Sequence, residues 1–110
     1  MNSRRRMIRI FVQCFEITDS TDGSLAGMVT IKGPNLDASG MVKVHWLTEA
    51  KAGGRVKLVF PDIDDSIECD VNEFDDSPGK VGEKAYPQQV RRMWKGQAEI
   101  RAMPEARIHG

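Results

Sequence analysis

Apolar residues recur at every second position through much of residues 8–71, a period of two that belongs to strands with one face buried. Ile8, Ile10, Val12 and Cys14 alternate with Arg9, Phe11, Gln13 and Phe15. The β-branched and aromatic content of that stretch favours strand over helix. A turn-rich D-S-T-D-G-S at 19–24 separates it from a second strand, L-A-G-M-V-T-I-K. Gly33-Pro34-Asn35 reverses the chain, and M-V-K-V-H-W-L at 41–47 sets Val42, Val44 and Trp46 on one side. After Gly53-Gly54, Val56, Leu58 and Phe60 fall in register; after a loop at 61–65, Ile67, Cys69 and Val71 alternate with Glu68 and Asp70. Five strands at short, regular spacing with Gly, Pro and Asp turns predict an antiparallel barrel or sandwich.

The remainder breaks the pattern. Residues 75–86 read as an exposed loop. Pro87 suits the first turn of a helix running Q-Q-V-R-R-M-W-K, with Val90, Met93 and Trp94 at i, i+3 and i+4. Gly96 would stop it, leaving Q-A-E-I-R-A-M as a last strand or a second helical turn. The chain of 110 residues reads as one domain with a core of its own: a flexible basic arm at 1–9, then a barrel with a C-terminal helical segment at 10–110.

Composition narrows the class. Hydrophobic residues make up 40% and charged residues 29%, the balance of a soluble globular protein, and no apolar run approaches a membrane span. The N-terminal stretch is a poor signal peptide, since Arg9 and Gln13 interrupt it and no small-residue cleavage site follows, so the expected location is cytoplasmic. Cys14 and Cys69 are then expected to be reduced and buried. A net charge of zero hides a segregation: residues 1–9 carry four arginines and no acid, residues 61–76 eight acids and no base, and residues 80–110 seven bases against three acids. The acidic run reads as a solvated face or a protein-binding one; the basic ends favour an anionic ligand.

Catalytic patterns are missing. There is no G-x-S-x-G, H-E-x-x-H or Walker loop, and the two histidines are His45, in a strand, and His109, near the end. D-I-D-D-S-I-E at 62–68 lacks the turn glycine and ligand spacing of a calcium loop. An exposed hairpin there is expected to give its carboxylates no pocket that would separate their pKa values. The expectation is a protein that is not an enzyme and that needs no metal or cofactor.

Two clusters remain. Arg5 and Arg9 form R-x-x-x-R, with Arg6 between them, and Asn35-Leu36-Asp37-Ala38-Ser39-Gly40 follows after a strand. Together they resemble the PilZ domain, whose signature is R-x-x-x-R near the start and [DN]-x-S-x-x-G some 20 to 30 residues later. A strand begins at the glycine, and G-x-V-x-L-x-F at 54–60 stands where the family places its next strand. The resemblance covers roughly residues 4–72 and implies a six-stranded barrel, with the tail matched to the family's C-terminal helix. It also implies cyclic di-GMP binding by a sensor or adaptor, with Arg5, Arg6, Arg9, Asn35, Asp37, Ser39 and Gly40 as ligand residues.

The residue types suit that ligand. Guanidinium groups fork onto phosphate or the guanine O6/N7 edge, and a glycine admits close backbone approach. Asp37 departs from the family's serine. Facing a phosphate about 4 Å away it would cost roughly 4 kcal/mol at an effective dielectric of about 20, whereas facing guanine it complements the N1–H and N2–H₂ donors. Two other classes stay open: a barrel that binds protein through the acidic 62–76 face or the basic tail, and a barrel that binds single-stranded nucleic acid. The last lacks a stacking row, because most of the seven aromatics hold core-like positions.

Overall fold

The computed structural model describes residues 7–19, 21–63, 65–76 and 90–101. They form six strands: β1 (Met7–Thr18), β2 (Leu25–Gly33), β3 (Leu36–Trp46), β4 (Arg55–Phe60), β5 (Asp65–Asp75) and β6 (Val90–Arg101). Each strand pairs antiparallel with the next and β6 returns to β1, so the sheet closes into an up-and-down barrel. No helix occurs among the described residues, and hence none long and apolar enough to cross a membrane.

The mostly-β antiparallel barrel is as the alternation predicts, and its core is the inward set of that alternation: Ile10, Val12 and Cys14 of β1 face Val42 and Val44 of β3, Val56 and Leu58 of β4 and Trp94 of β6. Each such aliphatic side chain contributes about 1.5–3 kcal/mol on burial.

Three expectations change. The C-terminal helix gives way to strand wherever the region is described: 90–95 belong to β6, which pairs with β1 along its whole length. Residues 87–89, the start of the expected helix, lie outside the described residues, as does His109. The spacing of Val90, Met93 and Trp94 suggested helix because the interior face of β6 runs Arg92, Trp94, Gly96, Ala98, and an arginine and a glycine interrupt its apolar alternation. Gly96 is small for a physical reason: a Cβ there would overlap the Asp70 carbonyl of β5. The second change is that β1 begins at Met7, which takes 7–9 out of the basic arm and into the sheet. The third is that β3 starts at Leu36, four residues before the glycine at which the sequence places a strand start. The reversal is confined to Pro34 and Asn35, with Asn35 at φ 59°, the proline-then-left-handed pairing of a type II turn.

The two ends of the barrel differ. At one end a β-bulge between Val71 and Glu73 shifts the phase of β5, which brings Phe74 opposite Trp94. Trp46 meets both rings edge-on, at centroid distances of 5.7 Å to Phe74 and 6.1 Å to Trp94, and this cluster plugs the barrel. At the other end β3 pairs with β4 only over 43–46, and β5 pairs with β6 only from Asp70 onward. The tip of the β4–β5 hairpin therefore stands apart from β3 on one side and β6 on the other, and a mouth opens between them.

Candidate functional site

Strand register turns the outer surface of β6, β1, β2 and β3 into rows that run across the strands. One row is Gln97, Phe11, Lys32, Asp37; the next is Lys95, Gln13, Thr30, Ser39. Arg9 lies beside the first row toward the open end and is paired across the strand with Glu99. Neighbouring strands are about 4.8 Å apart, so Phe11 and Asp37 lie roughly 10 Å apart with Lys32 between them. An external depression of about 310 Å³ borders these rows, lined by Phe11, Gln13, Thr30, Lys32, Glu73 and Lys95 among others.

Of the residues singled out in the sequence, Arg9, Asn35, Asp37 and Ser39 are all exposed at this end of the barrel. Arg9 and Asp37 reach the same outer face from β1 and β3, and Asn35 holds the hairpin between them. Gly40 is separated from that group: it has the inward parity of β3 and borders the mouth instead, where a Cβ would meet nothing within 4 Å. Arg5 and Arg6 lie outside the described residues.

The guanidinium of Arg9 reaches one carboxylate oxygen of Glu99 at 3.2 Å, with both side chains more than half exposed. Such a surface pair is worth less than about 1 kcal/mol, which leaves Arg9 able to turn to another anion. Asp37 has Lys32 directly across the strand, so a cation stands opposite the carboxylate whose direction, toward phosphate or guanine, the sequence alone left open. Phe11 is 57% exposed on the outer face of β1.

The sequence did not single out Phe11, Lys32, Thr30 or Lys95 as site residues, because only the register brings them beside the motif. Counting outward positions from the Pro34-Asn35 hairpin would have placed Lys32 and Thr30 opposite Asp37 and Ser39. Phe11 was visible as an aromatic of the wrong phase for the core.

The acidic segment is partly neutralised from within. Arg55 forks to Glu68 at 2.7 Å and Asp70 at 2.9 Å, and Glu73 lies opposite Lys95. Two of the basic residues of β6 are also engaged: Arg92 donates from Nε to buried Glu16 at 2.7 Å, and Arg91 donates to the Thr18 hydroxyl at 3.3 Å. Among the described residues, neither segment offers an unbroken field of one sign.

Cys14 and Cys69 are free and fully buried. Burial pushes the Cys69 thiol up to about 12, with the neighbouring Asp70 carboxylate adding to the shift, and pushes Cys14 higher still. Both act as small hydrophobes, not nucleophiles. Among the described residues no group of three or more His, Cys, Asp or Glu side chains is placed to hold a metal ion.

Comparison with protein-family models, curated proteins and solved structures finds no match to this chain.

Proposed function

We propose that the barrel is a non-catalytic sensor or adaptor domain that binds cyclic di-GMP on the outer β1–β2–β3 face. The observation that carries the reading is the row of Phe11, Lys32 and Asp37, with Arg9 beside it. An aromatic face, a cation and a carboxylate in sequence across three strands complement the three parts of a guanine nucleotide. Phe11 stacks on the base, and Asp37 accepts from N1–H and N2–H₂. Lys32 and Arg9 meet the phosphates, where the guanidinium fork gives the stronger bond. Thr30 and Ser39 in the adjoining row add hydroxyl groups for the ribose phosphates.

In this arrangement Asp37 need not face a phosphate. It reads the base, while Lys32 screens it from the phosphates, and the family's serine is replaced without the like-charge cost. The PilZ-like motifs supply an independent argument from the sequence, and the expected cytoplasmic location fits a receptor for an intracellular messenger.

Calorimetric titration with cyclic di-GMP and cyclic di-AMP tests the reading. The expected result is guanine-selective binding that Arg9→Ala and Lys32→Ala each weaken about tenfold, a change of about 1.4 kcal/mol. Asp37→Ala should erode the guanine preference more than the affinity. Absence of heat at high protein concentration, or equal binding of the adenine analogue, would overturn it.

A further inference from the structure

The mouth of the barrel is a second, chemically different site. Its volume is about 300 Å³, and its floor is formed by core side chains such as Ile10, Val29 and Ile31. Phe60, Ile63 and Ile67 of the β4–β5 hairpin form one wall, and Ile63 is 56% exposed, an unusual place for isoleucine. The charged residues among those lining the mouth are Asp62 and Asp65, both acids.

The opposite wall is the edge of β3. Five consecutive residues, Ala38, Ser39, Gly40, Met41 and Val42, border the cavity. Side chains of a strand alternate between faces, so a consecutive run can border one space only if the strand presents its edge to it. Among the described residues that edge is unpaired: residues 36–42 bond to β2, and the pairing of β3 with β4 begins at Lys43. The unpaired stretch carries neither the lysine nor the proline with which natural edge strands deter pairing.

From these features we infer that the mouth binds an extended peptide of a partner protein, which adds as a strand to the β3 edge. The peptide alternates aliphatic and basic residues. Its backbone completes the ladder of 36–42, its aliphatic side chains enter the cavity, and its basic side chains meet Asp62 and Asp65. The main-chain bonds give affinity and the pocket gives selectivity, the general logic of strand addition. This site shares the backbone of Asp37 and Ser39 with the dinucleotide reading, but Arg9, Lys32 and Phe11 take no part in it.

The test uses the full chain and a blocked heptapeptide, Lys-Val-Arg-Ile-Lys-Val-Arg, followed by amide NMR shifts and calorimetry. Three control probes are the acidic analogue with Glu and Asp for Lys and Arg, the basic peptide N-methylated at alternate residues, and octylammonium. The expected result is saturable binding that shifts the amides of 38–42 and of Ile63 and Ile67. The acidic peptide should bind at least about tenfold more weakly, and at least one N-methylation register should abolish binding.

Gly40→Ile fills the mouth from the β3 side. The open space around Gly40 and its ordinary backbone conformation let the variant fold, which its amide spectrum checks. Binding should be lost in this variant and kept in Arg9→Ala. Shifts confined to the outer acids Glu68, Asp70 and Glu73, or full binding by Gly40→Ile, would overturn the inference. So would binding of octylammonium without the peptide, which would make the mouth a small-molecule site. Concentration-dependent dimerisation that Gly40→Ile abolishes would overturn it too, with a second copy on the edge.

Discussion

Glu16 is the least ordinary residue of the barrel. It lies in the inward phase of β1 behind Ile10, Val12 and Cys14, and none of its surface reaches solvent. One carboxylate oxygen accepts from the Trp46 and Trp94 indoles at 2.7 and 2.8 Å, and the other accepts from Arg92 at 2.7 Å. Arg92 in turn lies over the Phe74 ring at 5.6 Å. A charge in that position is tolerated only because every lone-pair direction it uses is met by a donor. Removing it strands two indole N–H groups and an arginine and opens a cavity. Glu16→Ala should therefore lose about 3–5 kcal/mol, a large part of the 5–15 kcal/mol typical of a domain. Glu16→Gln keeps the volume and one acceptor oxygen, so its loss should be clearly smaller. Urea unfolding followed by tryptophan fluorescence reads both, and equal loss in the two variants would show that the hydrogen bonds to the charged carboxylate, not the volume, matter there.

At the scale of elements, the β1–β2 connection is held by charges whose titration gives it a pH window. Lys43 of β3 reaches Asp19 at 2.9 Å and Asp22 at 3.3 Å, and the two carboxylates cap the amides of Thr21 and Ser24. Hydrogen bonds from Ser24, then from Lys43, hold Asp22 down at about 2 against an ordinary 3.8. Lys43 and Thr21 lower Asp19, and Asp19 above all raises Lys43 from its ordinary 10.5. Depressed carboxylates stabilise the folded loop fully above 3.8 and lose that contribution as pH falls toward 2. A raised lysine contributes below 10.5 and loses its contribution as pH rises through its folded value. Exchange of the Thr21 and Ser24 amides, corrected for intrinsic rates, should thus accelerate at both extremes and stay slow between them. In Lys43→Met the alkaline change should vanish.

The elements also show where sequence patterning stops. β1, β2, β4 and the first half of β5 follow from alternation alone, because their inward residues are aliphatic almost without exception. β6 does not, because its inward face carries Arg92 to meet Glu16 and Gly96 to admit the β5 backbone. The start of β3 does not either: Asp37, Ala38, Ser39 and Gly40 are poor strand formers, and pairing with β2 overrides that preference. Arg9, Asn35, Asp37 and Ser39 were legible as motif residues and Lys32 by counting from the Pro34-Asn35 hairpin, while Phe11 needed the β1–β2 register, which no local pattern supplies.

At the scale of the molecule, the densest packing and the surfaces proposed for binding lie at opposite ends. The closed end holds the two tryptophans, the Glu16 network and the full pairing of β6 with both neighbours. The open end holds the outer polar rows, the mouth, and strands that, among the described residues, pair on one side only. Segments with fewer buried contacts open at lower free energy than the rest, and binding surfaces draw on them. Native-state hydrogen exchange should therefore resolve two units. Amides of 93–97, and those of 43–46 facing β4, should exchange only through global unfolding, with a steep denaturant dependence. Amides in the β2–β3 pairs Lys32↔Asp37 and Thr30↔Ser39, and in the β4–β5 pair Phe60↔Asp65, should exchange through local opening with little denaturant dependence. Glu16→Gln separates the two further. It should lower the opening free energy of the closed end by its full loss of stability and leave the local opening of the mouth unchanged. If both ends fell together, the barrel would be one cooperative unit, and ordering of the mouth by a ligand would have to be felt at Trp94.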